Sequence, residues 1–348
     1  MNLKFDWQKR QAIGTADLTI SVLHTTDKIL LDAGYLNVNS ILIHNKPLKF
    51  NYLGGDTNDN LEITLDQFYT PNTFIQLTIH YQTMYENKAD PNSIWGSFGK
   101  GLRFQQPTST TPTKRIQIWS SGEPNYNKYW FPCNEDIADI HTTEFIATVE
   151  KPLMVISNGN LIETIENKDS TRTYHYNSKM PFPNYLVSLV VGEYDDVIQN
   201  SNGIAIHNYG YPHELEAVKA TTELLPEMMQ FIEEKTAYKY PYPHYTQVVV
   251  QDYPFPGLIG QHRASIISDN YIDDYGVHKD FKYLWDGVAV QALTNQWFGN
   301  LLMPKSWDDI WLTKAFGQYF AGLFTIKDNS KTEYLSYYLP FEKNNALA

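Results

Sequence analysis

The first half of the chain carries short stretches in which apolar and polar residues alternate. FIQLTIHYQT at 74 to 83 is the clearest: it repeats with period two, as a strand with one buried face must. LNVNSILIH, LEITL, EFIATVE and LVSLVVGEY give shorter signals of the same kind, separated by turn formers such as LGGDTNDN, SNGN and ENKDS. Residues 1 to about 200 are therefore predicted to be strands. QQPTSTTPTK at 105 to 114 reads as a polar surface loop. Near NSNG at 200 to 203 the period changes. From Pro212 onward, Leu215, Val218, Leu225, Met228 or Met229 and Ile232 fall at helical spacing, with Pro226 kinking the helix or ending a first one. TQVVVQDY suits a buried strand, and residues 280 to 299 and 309 to 328 read as two further helices. The pattern predicts an α+β chain of two domains: a β-rich one over 1–201 and a mixed α/β one over 202–348.

Length and composition agree. A chain of 348 residues exceeds one ordinary core. With 42% hydrophobic and 14% aromatic residues it can fill two. No run of eighteen apolar residues predicts a membrane span, and MNLKFDWQKRQAIG lacks the apolar stretch of a signal peptide, so the compartment is open and cytoplasmic by default. The net charge of -12 argues against nucleic acid as a partner, since phosphate backbones need a basic face. Cys133 is the sole cysteine, which excludes an internal disulfide and a cysteine metal cluster; the residue reads as a small buried apolar group.

Chemistry concentrates between 288 and 320. VAVQALTNQWFGN is followed by WDDIWLTKAFGQYF. With SGEPNYNKYWFPCNED at 121 to 136 and MVISNG at 154 to 159, these stretches resemble the M1 family of zinc aminopeptidases over most of the chain. The resemblance implies a saddle-like β-rich N-terminal domain and a thermolysin-like peptidase domain of the gluzincin class, truncated or ending early; the family's helical C-terminal domain is expected to be absent from these 348 residues. It also implies zinc, held by an HExxH helix and a glutamate nineteen residues beyond the second histidine. Histidines at i and i+4 share one helix face and grip one metal, while the glutamate beside the first deprotonates water.

Here those slots hold Gln291, Ala292 and Asn295, and the third ligand slot holds Lys314. Amide oxygens are poor zinc ligands, alanine accepts no proton, and an ammonium reverses the local charge. The family's exopeptidase loop aligns with PFPGLIGQHRASII, where Gln261 and His262 take its Glu-Asn slots. Its substrate-facing glutamate survives as Glu123, with Ser121 in place of the usual glutamine two residues earlier. Each residue also has a plainer reading. Gln291, Asn295 and Lys314 can be polar groups bonding one another in a former metal hole, or the Lys314 ammonium can stand where zinc would. Glu123 can hold a peptide α-amino group or serve as a turn carboxylate beside Pro124. His244, His262 and His278, lacking i+4 partners, read as structural rather than as a rescued metal site. Asp308 and Asp309 cap the following helix.

Three functions compete. The first is a metal-free, catalytically inactive aminopeptidase-like pseudoenzyme. It would bind peptide or protein N-termini, or a protein on the face that the family's C-terminal domain covers. The second is an active zinc aminopeptidase removing N-terminal residues from peptides. The third, a metal-free hydrolase, has no Ser-His-Asp or Cys-His signature behind it.

Overall fold

The structure, a computed structural model, describes residues 1–55, 58–84, 100–253, 260–272, 274–328, 331–340 and 343. The chain divides into two compact units, Met1–Gly192 and Glu193–Ala348. The boundary lies before the expected 201. The reason is local: strand Asp195–Ser201 pairs antiparallel with Ile204–Gly210 and so belongs to the second unit's sheet.

The first unit is built of sheets. Its largest runs in the order Asn160–Glu166, Thr171–Pro183, Ile140–Glu150, Asn2–Asp6, Gln11–Ser21, Phe74–Thr83, Leu36–Ile43 and Lys46–Pro47. Most neighbours are antiparallel; Asn2–Asp6 joins Ile140–Glu150 in parallel. FIQLTIHYQT forms the whole of one strand, and its alternate residues Ile75, Leu77, Ile79 and Tyr81 are buried. That is the two-sided environment its period demands. A second sheet joins Met154–Ser157, Leu189–Gly192, Gln117–Ser121 and Gly101–Gln105. Trp119, Trp130, Phe145 and Phe182 are among the largest fully buried side chains. Residues 106 to 114 are irregular and mostly exposed.

The second unit carries a sheet ordered Asp195–Ser201, Ile204–Gly210, His244–Val250, Ala264–Ser268, the last two junctions being parallel. The two parallel strands at its end are buried almost throughout, as strands covered on both faces are. Helices α1 (Leu215–Thr221), α2 (Leu225–Thr236), α3 (Tyr275–Thr294) and α4 (Ile310–Asp328) complete it. Pro226 stands in the first turn of α2, where its missing N–H breaks no helical bond. Asp274 caps α3, its Oδ1 accepting from the N–H groups of Gly276 and Val277. Trp285, Ala289, Leu293 and Trp297 recur at four-residue intervals and bury against Met228, Ile232, Tyr245, Phe320 and Phe324. No helix of the described residues is long and apolar enough to cross a membrane.

Candidate functional site

The site begins at the C-terminal end of α3. Gln291 and Asn295 sit one turn apart there, both buried, and the Asn295 N–H donates to the Gln291 carbonyl at 3.0 Å. Opposite them lies α4. Gly317 faces them: a Cβ placed on it would make ordinary van der Waals contact, at 3.5 Å, with Asn295 Oδ1 and the Gln291 side chain. Gln291 Nε2 donates to Gln318 Oε1 at 3.2 Å. Lys314, half-buried, precedes Gly317 and Gln318 by one helical turn and so shares their face of α4. The four singled-out residues of this motif therefore belong to one junction. Ala292, almost fully buried, puts no polar side-chain atom into it.

The other side of the same segment is more heavily bonded. Gln296 is fully buried. Its Oε1 accepts from the Arg263 N–H at 3.0 Å, and its Nε2 donates to the carbonyls of Gln261 at 3.1 Å and Ala292 at 3.3 Å. Asn300 Nδ2 donates to the carbonyls of Gly260 at 2.9 Å and Asn295 at 2.8 Å. With both its N–H groups committed, Asn300 must present Oδ1 as an acceptor, so His262 Nδ1, 3.2 Å away, carries the proton. Between these amides, Trp297 Nε1 donates to the Tyr238 carbonyl at 3.1 Å and Phe298 stacks on Phe316 at 4.2 Å. Gly299 adopts φ +135°, and a Cβ there would meet Thr313 Cγ2 at 2.8 Å, so only glycine suits the turn. Each residue of QWFGN thus has a structural task.

Those tasks absorb the two residues aligned with the exopeptidase loop. Gln261 is buried; its Nε2 donates to Tyr253 Oη at 3.0 Å and its Oε1 accepts from the Ile266 N–H at 2.9 Å. His262 is buried with its ring 4.9 Å from that of Tyr242, edge to face. Desolvation, with the Arg263 charge behind it, pulls its pKa down to about 3. It is a neutral donor, not a base poised near neutrality. The loop residues 254–259 just upstream lie outside the described residues.

The remaining candidates are dispersed. His244 accepts from Arg263 Nη2 at 3.0 Å, and His278 is buried in the first half of α3, four residues after Asp274, whose carbonyl takes its N–H. Tyr240 packs edge to face with Tyr242, Tyr245 and Trp297, making YKYPYPHY a packed aromatic turn. Asp308 and Asp309 occupy a short turn leading into α4, where Ser306 Oγ donates to Asp309 Oδ2 at 3.0 Å. In the first unit, Glu123 is half-buried between Gly122 and an exposed Pro124, and its charge is a minor cause of the raised pKa of Tyr185, after burial. Cys133 is buried, receives Asn184 Nδ2 at 3.2 Å, and has its thiol pKa pushed well up by desolvation. That makes it a packing residue rather than a nucleophile. Reading the sequence missed Gln296, Asn300, Gln318 and Arg263. The available signal was polar residues at i and i+4 (296 and 300) inside an apolar run, which must be paired when buried.

Comparison with known proteins fixes the frame. Residues 1–186 match the Peptidase M1 N-terminal domain and residues 220–347 the Peptidase family M1 domain. The chain belongs to peptidase family M1. Its sheet-rich N-terminal domain and mixed peptidase domain are those of the M1 fold. Over 96% of its length it superposes on yeast LTA4 hydrolase (TM-score 0.75, 21% identity, 49% of that chain). It superposes equally widely on the M1 zinc metallopeptidase of Deinococcus radiodurans bound to a Tyr-Ser-Ala substrate (TM-score 0.72, 17% identity, 71% of that chain). It is 28% identical over 237 residues to transcription initiation factor TFIID subunit 2 of Gallus gallus, covering 67% of this chain and 20% of that protein. It is 22% identical over 326 residues to puromycin-sensitive aminopeptidase of Caenorhabditis elegans, covering 89% of this chain and 32% of that protein. The chain thus spans a fifth to a third of these curated relatives.

For an M1 chain, zinc is the group to test against the residues present. Gln291, Asn295 and Lys314 offer two neutral amides and an ammonium, without imidazole, thiolate or carboxylate. Among the described residues, no group of three or more His, Cys, Asp or Glu gathers to hold a metal ion elsewhere. This donor set does not fit zinc.

Proposed function

We propose that this chain is an M1 aminopeptidase-like module that has lost zinc-dependent hydrolysis and serves as a peptide-binding or protein-assembly unit. One observation supports the reading: Gln291, Ala292, Asn295 and Lys314, the residues that the family resemblance puts at the ligand and base slots, meet where α3 faces α4, and none of them has the side-chain chemistry those slots need. Two unit charges about 4 Å apart interact by about 4 kcal/mol at an intermediate effective dielectric, so a dication beside Lys314 meets roughly twice that repulsion. Ala292 leaves an attacking water without a base. Gln261, spent on Tyr253 and Ile266, supplies no carboxylate for a substrate's amino group. Glu123 is the surviving acid with which a peptide N-terminus could pair. The similarity to a protein named as a subunit of TFIID supports an assembly role. The similarity to puromycin-sensitive aminopeptidase supports the competing reading, an active zinc aminopeptidase.

The experiment is zinc content by elemental analysis together with hydrolysis of amino-acyl reporter substrates by the purified chain. No stoichiometric zinc and no zinc-dependent turnover are expected. Lys314→Glu alone should restore no activity, because Ala292 still provides no base and Gln291 and Asn295 still offer a metal only neutral amides. Restoring all four slots (Gln291→His, Ala292→Glu, Asn295→His, Lys314→Glu) should recover zinc binding with poor rates. Zinc-dependent turnover by the unmodified chain would overturn the proposal.

A further inference from the structure

The sequence holds two Asn-Gly pairs, Asn158-Gly159 and Asn202-Gly203, and the structure treats them oppositely. An asparagine followed by glycine is chemically labile, because the next backbone nitrogen can reach its Cγ and no side chain stands in the way. Asn158 is fully buried. Its Nδ2 donates to the Leu186 carbonyl at 3.2 Å and its Oδ1 accepts from the Ser188 N–H at 2.6 Å. Gly159 lies so near the neighbouring strand that a Cβ on it would meet the Asn177 carbonyl oxygen at 2.4 Å. This pair has no room to swing into the attacking geometry. Asn202 and Gly203, by contrast, are both exposed. They are the central residues of the hairpin that joins Asp195–Ser201 to Ile204–Gly210, closed by the pairing of Ser201 with Ile204. Their φ angles of +51° and +90° are the left-handed pair that a two-residue hairpin turn asks for. A Cβ on Gly203 would meet nothing within 4 Å. The Gly203 N–H donates to Asn200 Oδ1 at 3.0 Å, an exposed side chain that water can replace.

We infer that Asn202 is a modification site, where deamidation turns a hydrogen-bond donor into a negative charge beside a buried carboxylate. The backbone nitrogen of Gly203 attacks Asn202 Cγ, and the new C–N bond closes a five-membered imide. The bond from Cγ to Nδ2 breaks, and the proton of the Gly203 N–H ends on the ammonia released. Water then opens the ring at either carbonyl, leaving aspartate or its isomer with the main chain routed through Cγ. The net change is water taken up and ammonia lost, without oxidant or cofactor. Glu233 gives the site its consequence. Its side chain is buried near the end of α2. Oε1 accepts from the Tyr240 N–H at 2.9 Å, and Oε2 accepts from Lys239 Nζ at 3.0 Å and Asn202 Nδ2 at 3.3 Å. Deamidation replaces that last donor by a second carboxylate, and like charges at this range repel. The loss falls on the segment from Tyr238 to Tyr240. The Tyr238 carbonyl receives Trp297 Nε1, and the Tyr240 ring packs edge to face on Trp297. No metal chemistry enters, so a zinc-loaded, peptide-cleaving chain would end the function proposed above and leave this inference standing.

Ageing the folded full chain at mildly alkaline pH, followed by peptide mapping with mass spectrometry, tests it. Conversion of amide to acid is expected at Asn202 and not at Asn158, and both should convert once urea unfolds the chain. Asn200→Ala removes the acceptor that holds the Gly203 N–H and should speed conversion about fivefold, the factor an ordinary net hydrogen bond supplies. Asn202→Asp mimics the product. It should lower the urea midpoint of the parent and leave that of a Glu233→Gln background unchanged, because there the new carboxylate meets a donor. A folded chain that leaves Asn202 intact while its unfolded form converts would overturn the inference. So would a folded chain that converts Asn158 as fast as Asn202, or an Asn202→Asp loss of equal size in both backgrounds.

Discussion

The two sides of the segment from Gln291 to Asn300 face different neighbours and are held differently. Toward Gly260–Arg263, Gln296 and Asn300 are bound to backbone groups from several directions. Toward α4, Gln291 Nε2 donates to the side chain of Gln318. The first side is architecture: it ties the end of α3 to the turn that delivers Gln261 and His262. The second is where a metallopeptidase would do chemistry, and there the side chains are neutral amides, a methyl and an ammonium. If the proposed reading holds, the residues that hold this fold are different from those that would carry its chemistry. The predictions below attack that division, beginning with the change that should hurt most.

Gly260→Ala strikes the architectural side at its tightest point. A Cβ there would lie 2.3 Å from the Ala292 carbonyl oxygen and 2.9 Å from Gln296 Nε2. The first of these is backbone inside a helix and cannot swing aside. A loss of about 3 kcal/mol is expected, the upper end of ordinary overpacking, read as a lowered midpoint in urea. Gln296→Ala comes next. It leaves the Arg263 N–H and several buried carbonyls short of a partner, and each buried group so stranded costs roughly 1–3 kcal/mol. A fall of about 2 kcal/mol is expected in the same titration. A Gln296→Ala protein as stable as the parent would erase the asymmetry between the two sides.

His262 sharpens the comparison through pH. Its folded pKa of about 3 lies below the unfolded value of 6.5, so the unfolded chain binds the extra proton between those limits. The contribution is therefore complete above about pH 6.5 and is lost as the pH falls toward 3. The slope approaches about 1.4 kcal/mol per pH unit. His262→Asn should flatten the stability–pH curve in that window. An unchanged acid limb would mean that the ring is not held neutral by its surroundings.

Much of this arrangement was legible in the sequence. The period-two run at 74 to 83 and the helical spacing through α2, α3 and α4 follow from burial of one face, which pattern alone reports. Pro226 marked a helix start, not a kink, because its position relative to the first turn depends on where the chain bends before it. The strands Asn2–Asp6 and Gln11–Ser21 were anticipated only as part of a β-rich stretch, and Ile204–Gly210 and Ala264–Ser268 were not singled out. Their pairing is settled by partners far along the chain, such as Ile146 for Asn2 and Thr246 for Ala264. The candidate site divides in the same way. Gln291, Asn295 and Lys314 stood out because their spacing matches a family motif with altered letters. Gln296, Asn300 and Arg263 did not: the four-residue spacing of the two amides marks them as polar in an apolar run, but nothing local says which backbone groups, most of them thirty or more residues away, pair with them.

The smallest effect is expected on the side of the segment that faces α4. Gln291→Ala removes one neutral hydrogen bond, from its Nε2 to Gln318 Oε1 at 3.2 Å. Such a bond contributes about 1 kcal/mol net, and less when the abandoned partner can turn to water. Gln318 is half-exposed and can do so. The methylene groups of Gln291 lie against Gly317, so some packing is lost as well. Together these should keep the loss near 1 kcal/mol, about half that of Gln296→Ala five residues along the same segment. Chemical denaturation of the two single variants and the double variant measures the difference. Their contacts are on opposite sides of the segment, so the two losses should add to within about 0.5 kcal/mol. Should Gln291→Ala prove as damaging as Gln296→Ala, the altered ligand slots would have become part of the scaffold. The amides would then be selected for structure, and restoring histidines there would destabilise the chain before any zinc could bind.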